Sequence, residues 1–118
     1  MITHYKELKV YVKSYQAALD VYRIAKTFPR EELYGLASQL KRAATSIPLN
    51  IAEGYGKRQS VNEFKRFLMM SIGSADEVRV LLDFSKDLQF IAPEVYTTLY
   101  VMYDEIGKML NALHKNWK

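Results

Sequence analysis

Apolar residues recur along this chain at intervals of three and four, the spacing of one face of an α-helix. In the first segment Leu8, Val12, Tyr15, Leu19 and Tyr22 form one stripe, and Val10, Ala17, Val21, Ile24 and Phe28 form a second. The pattern predicts a helix over residues 6–28. Pro29 ends it, because the residue before a proline avoids the α region. A second helix is predicted over residues 30–52, with Leu33, Leu36, Leu40, Ala43, Ile47 and Ile51 on one face. Pro48 falls inside this pattern, so the helix either kinks there or divides in two. The stripe stays in phase across Pro48, which favours a kink. Gly54 and Gly56 are expected to end the helix.

The third helix has the clearest start. Ser60-Val61-Asn62-Glu63 reads as a capping box, in which Ser60 accepts from the Glu63 N–H and the Glu63 side chain reaches back. Its core stripe is Phe64, Phe67, Leu68, Ser71, Ala75, Val78 and Leu82, beside a second stripe of Met70, Leu81, Phe84 and Leu88. The fourth helix begins at Pro93, a favoured first-turn residue. Val95, Leu99, Met102, Ile106, Leu110, Leu113 and Trp117 form its core face.

Four amphipathic helices joined by short loops pack most economically as an all-α, antiparallel up-and-down four-helix bundle. The expected organisation is one domain over residues 1–118. Helices 1 and 3 carry more apolar surface than one stripe per helix requires. The surplus reads either as a subunit interface or as a wide core stripe.

Composition removes several alternatives. At 118 residues, 49% hydrophobic and 25% charged, the chain is long and apolar enough to fold without metal or disulfide. It has no cysteine, which excludes thiolate metal sites and cysteine nucleophiles. No stretch has the length of a membrane span, and the N-terminus turns polar too soon for a signal peptide. The expected location is the cytoplasm.

The net charge of +4 is unevenly spread. Residues 1–30 and 38–71 are basic, whereas residues 72–105 set Arg79 and Lys86 against seven acids. Such asymmetry reads as a basic face for nucleic acid, as complementary surfaces in an oligomer, or as merely solvated helix faces.

Catalytic signals are poor. His4 and His114 lie near opposite ends of the chain, and neither belongs to a Glu-x-x-His pair. Gly54-x-Gly56-Lys57 lacks the outer glycines of a phosphate loop, so a helix–helix turn is the better reading. No metal, cofactor or small-molecule substrate is expected, and the chain does not read as an enzyme.

Three polar or aromatic features remain. Gln39, Arg42, Ser46, Asn50 and Glu53 make a polar stripe on helix 2, and Ser71, Ser74 and Glu77 interrupt helix 3. A structural network is expected between them, with Arg42 donating to Glu77 or Glu53. The alternative is a ligand or catalytic site. Tyr96, Tyr100 and Tyr103 form a stripe beside Gly107, suited to a core or interface and also to stacking on bases. Lys57, Arg58, Lys65 and Arg66 flank the start of helix 3, where free N–H groups and the helix dipole favour phosphate.

Residues 42–54, RAA-x-SIP-x-NIAEG, together with Phe28-Pro29, Glu32 to Leu36, Glu63-Phe64, Phe67-Leu68, Gly73-Ser74-Ala75 and Glu77, resemble one family's signature. It is the family of four-helix bundle proteins encoded in intervening sequences of bacterial 23S rRNA genes. The resemblance runs from about Tyr5 to Leu113. A relative of that family, the accessory variability protein of diversity-generating retroelements, forms a pentameric barrel and binds nucleic acid and a reverse transcriptase through basic surface. The resemblance thus implies a homopentamer with a basic face. It brings no catalytic residues, and Arg42, Ser46, Asn50 and Glu53 carry over as a signature only.

The functional expectation is a non-enzymatic, oligomeric accessory protein that binds RNA or DNA through Lys57, Arg58, Lys65 and Arg66. The alternative is a protein–protein scaffold that binds no nucleic acid.

Overall fold

The computed structural model describes residues 2–118. Four helices carry the fold: α1 (Lys9–Ala25), α2 (Leu36–Gly56), α3 (Val61–Asp87) and α4 (Pro93–Asn116). A single 3₁₀ turn, Tyr5–Glu7, precedes α1, and another, Arg30–Glu32, precedes α2. The expected all-α, up-and-down four-helix bundle is the fold. It is 44 Å long and 23 by 19 Å across. Consecutive helices pack on one another, and α1 closes the ring against α4. α1 and α3 stand on the diagonal, with no Cα of one within 8 Å of the other.

The core contains the fully buried Leu40, Ile47, Ile51, Phe64, Leu68, Leu82, Ile106 and Leu110. Burying each such side chain contributes roughly 1.5–3 kcal/mol. On α1 only one of the two expected stripes is inside. Val10, Ala17 and Val21 are buried, whereas Val12, Tyr15, Leu19 and Tyr22 are exposed. On α3 the stripe from Phe64 to Leu82 is buried, while Met70, Phe84 and Leu88 face out. The wide-core reading therefore does not hold for either helix.

The α2–α3 seam is built from small residues. Ala43 of α2 and Ser71 and Ala75 of α3 are all buried. Gly54 does not end α2, which continues to Gly56; a Cβ at Gly54 would lie 2.6 Å from the Cβ of Phe67. The glycine lets the two backbones approach. α2 also runs through Pro48 without dividing.

The predicted boundaries shift for identifiable reasons. α2 starts at Leu36 because the Glu32 carboxylate accepts from the Leu36 N–H at 3.1 Å, capping the helix there. Leu33, expected in the core, is left exposed in the preceding turn. At the start of α3, Ser60 accepts from the Glu63 N–H at 3.2 Å. The reciprocal half of the capping box is absent, because the Glu63 carboxylate is held by Arg66 through contacts of 3.0 and 3.1 Å. α3 closes with Gln89 at φ 63°, the Phe90 N–H reaching the Ser85 carbonyl at 2.8 Å and the Gln89 N–H reaching Lys86 at 2.9 Å.

A basic end of the bundle

The connection from α2 to α3, residues 57–60, carries Lys57 and Arg58. Both are propped on aromatic rings. The Lys57 Nζ lies 5.6 Å from the Phe67 centroid, and the Arg58 guanidinium lies 4.1 Å from that of Tyr55. Arg58 also donates to the Tyr55 carbonyl at 3.0 Å. Arg66 stacks on the other cation's ring, 4.7 Å from the Phe67 centroid. Cations over rings retain their charge while losing little further freedom on binding. Lys65 is half-buried.

The four cations are not equivalent. Arg66 is paired with Glu63, and its hydrogen bonds hold the Glu63 carboxyl below the ordinary glutamate value. Among the described residues no ion pair includes Lys57, Arg58 or Lys65. Those three present their charge to solvent without a partner.

The topology gathers more charge at the same end. The Tyr55 hydroxyl donates to the Ile2 carbonyl at 3.1 Å, bringing the N-terminal segment to the foot of α2. The Trp117 ring packs 4.7 Å from that of Phe64, bringing the end of α4 to the start of α3. Lys6, Lys9, Lys115 and Lys118 sit on these segments and are exposed. The opposite end, where α1 gives way to α2 and α3 to α4, is mixed in sign, with Glu31, Asp87 and Glu94 exposed alongside Lys26 and Arg30. Tyr55 and Phe67, which organise the cations, were not singled out as site residues in the sequence; their signal is an aromatic within three positions of each basic pair.

The polar stripe takes a different form from the expected one. Arg42, Glu53 and Glu77 are all exposed, and none is in an ion pair among the described residues. Their positions on the outer sides of α2 and α3 keep them in water, so no buried charge demands a partner. What does form is smaller. The Ser46 and Ser74 hydroxyls meet at 2.5 Å, and Asn50 donates to the Ser46 carbonyl at 2.9 Å. Ser71, fully buried, donates to the Ile47 carbonyl at 2.9 Å. The Ser71 bond ties α3 to the backbone of α2 beside Pro48, and the Ser46–Ser74 pair adds a side-chain link between the two helices.

The tyrosine stripe runs from the edge of the core into it, with Tyr96 and Tyr100 half-buried against the core. Tyr103 is fully buried. Tyr96 donates to Asp83 on α3 at 2.7 Å and packs 5.4 Å from Tyr100. Gly107, beside them, is covered by the guanidinium of Arg79, which bridges Asp76 and Asp104. No helix among the described residues is long and apolar enough to cross a membrane.

Residues 6–112 match the family model described as 23S rRNA-intervening sequence protein. A crystal structure from Bacteroides thetaiotaomicron, described as a protein with unknown function from the S23 ribosomal protein family, superposes with a TM-score of 0.83. The two are 27% identical, and the match covers 91% of this chain and 96% of that one. No curated protein matches the chain.

Proposed function

This chain belongs to the 23S rRNA-intervening sequence protein family, and on that footing we propose that it is a non-enzymatic, self-associating accessory protein that binds RNA or DNA through the basic end of its bundle. The observation that carries this reading is the convergence there of Lys57, Arg58 and Lys65, none of them in an ion pair among the described residues, with Lys6, Lys9, Lys115 and Lys118. The cations are presented by a short loop and a helix start, with no groove-filling helix or base-reading strand. Contact is therefore with the phosphate backbone, which gives affinity without sequence preference. Self-association repeats the end once per subunit and raises the effective concentration of weak sites. The exposed apolar stripes of α1 and α3 favour that self-association.

The test is titration of labelled single- and double-stranded RNA and DNA at low and physiological salt. Wild type is compared with a Lys57→Glu, Arg58→Glu, Lys65→Glu variant. Binding by the wild type that weakens steeply with salt, and is lost in the variant, supports the reading. A wild type that binds nothing at low salt, or a variant that binds equally well, overturns it and leaves the protein–protein scaffold.

A further inference from the structure

Of the four cations around the start of α3, Arg66 alone is in an ion pair among the described residues. Its Nε donates to one Glu63 oxygen at 3.0 Å and its Nη2 to the other at 3.1 Å. In this two-pronged geometry a guanidinium also takes two oxygens of a phosphate. The Glu63 carboxylate thus fills the place a phosphate would take on Arg66.

A second cation faces the same carboxylate. The Lys57 Nζ and the Arg66 guanidinium lie 5.6 and 4.7 Å from the centroid of one ring, that of Phe67. Phe67 is buried and packed against Gly54, so the ring that supports both cations is fixed in the α2–α3 seam. Hydrogen bonding by Arg66 lowers the Glu63 carboxyl most; desolvation opposes it, and the charges of Arg66 and Lys57 add to the lowering. An anion between these cations is stabilised by both, and in the free protein that anion is Glu63.

The pair is exchangeable. The Arg66 and Glu63 side chains are 55% and 42% exposed, so water screens them and little holds them together. A nucleic-acid strand offers Arg66 a phosphate in place of the carboxylate. It also reaches Lys57, Arg58 and Lys65, which Glu63 leaves unpaired. We propose that Glu63 is an internal competitor for phosphate at the basic end: Arg66 exchanges the Glu63 carboxylate for a backbone phosphate of the bound strand, and Glu63 thereby sets the affinity. This rests on the nucleic-acid reading above and names a residue that tunes it. A pair that only stiffened the first turns of α3 would leave the effects of Glu63 and Arg66 on binding independent of each other.

The experiment is a double-mutant cycle of Glu63→Gln and Arg66→Gln, with helix content checked by circular dichroism. Glutamine keeps the backbone N–H that Ser60 accepts, so α3 keeps its cap. Binding of labelled mixed-sequence DNA, duplex and single-stranded, is titrated from low to physiological salt. Glu63→Gln is expected to bind about two- to fivefold tighter at low salt, the range of a released surface pair. Its salt dependence steepens by about 0.9 on duplex and about 0.7 on single-stranded DNA for each phosphate gained. Arg66→Gln is expected to change little in the wild type and to abolish the gain in the Glu63→Gln background. Glu53→Gln removes an unpaired acid one turn before Lys57 and serves as the control for net charge. With Glu63 still in place there, Arg66→Gln is expected to remain nearly silent. Equal losses from Arg66→Gln in all backgrounds, or a Glu63→Gln variant that binds no tighter than Glu53→Gln, overturn the exchange while the basic-end reading stands. If neither the wild type nor Glu63→Gln binds at low salt, both fall.

Discussion

Gly54 and Phe67 set the separation of α2 and α3: a methyl group on the glycine would come within 2.6 Å of the phenylalanine Cβ and 3.0 Å of the Phe64 ring. Alanine is the better helix former by about 1 kcal/mol. Overpacking of a tight seam costs about 1–3 kcal/mol and here acts against two core rings. Gly54→Ala is expected to lower stability by about 1 kcal/mol. Gly73, in open space midway along α3, lacks that obstacle, and Gly73→Ala is expected to raise stability by up to about 1 kcal/mol. Urea denaturation of both variants checks the opposite signs.

Arg42→Ala is expected to leave the melting temperature nearly unchanged. The side chain is exposed and in no ion pair among the described residues, and substitutions at such sites stay within about 0.5 kcal/mol. A fall equivalent to several kcal/mol in a thermal melt would show that Arg42 is in a buried pair after all.

Tyr103 is fully buried, and its hydroxyl is the one buried side-chain polar atom without a hydrogen-bond partner among the described residues. Burial pushes its ionisation well above the ordinary tyrosine range. Leaving a hydroxyl unsatisfied costs about 1–3 kcal/mol. Tyr103→Phe removes that cost and retains the ring, so it is expected to stabilise the fold by about 1 kcal/mol in urea.

Tyr96 provides a pH-dependent contribution. Its hydrogen bond to the Asp83 carboxylate, with some desolvation, raises its pKa from 10.0 to about 12. The folded state thus holds the proton where the unfolded chain releases it. The stabilisation is complete below pH 10 and is lost as pH rises towards 12. The stability difference between wild type and Tyr96→Phe, followed by urea denaturation across that window, is expected to shrink.

Much of the fold is readable from periodicity, because helical stripes report directly on burial. The buried faces of α3 and α4 follow from spacing, as does the presence of a second apolar stripe on α1; that this stripe lies outside the core does not, because spacing leaves an interface and a wide core equally open. Boundaries depend on local chemistry that spacing does not carry. No glycine marks the end of α3, yet Gln89 adopts the left-handed conformation and closes it. Leu33 keeps the apolar phase but precedes the Glu32 cap on Leu36, and so falls outside the helix. Arg42 and Glu77 were matched by their place on facing helices, but their outward rotation separates them from any seam. The cations of the basic end were legible as residues. Their division into paired Arg66 and unpaired Lys57, Arg58 and Lys65 was not, because it turns on whether Glu63 caps its helix or binds Arg66.

The α2–α3 seam also orders events in time. Its partners, such as Gly54 and Phe67 or Ile47 and Ser71, are close along the chain and joined by the residue 57–60 connection. The pairing of α1 with α4, exemplified by Lys13 and Glu105, requires nearly the whole chain to be looped. Closing the shorter loop sacrifices less chain entropy, so the α2–α3 hairpin forms ahead of the α1–α4 closure. A defect at Gly54 is then expressed mainly as slower refolding in stopped-flow measurements, and one at the α1–α4 contact mainly as faster unfolding.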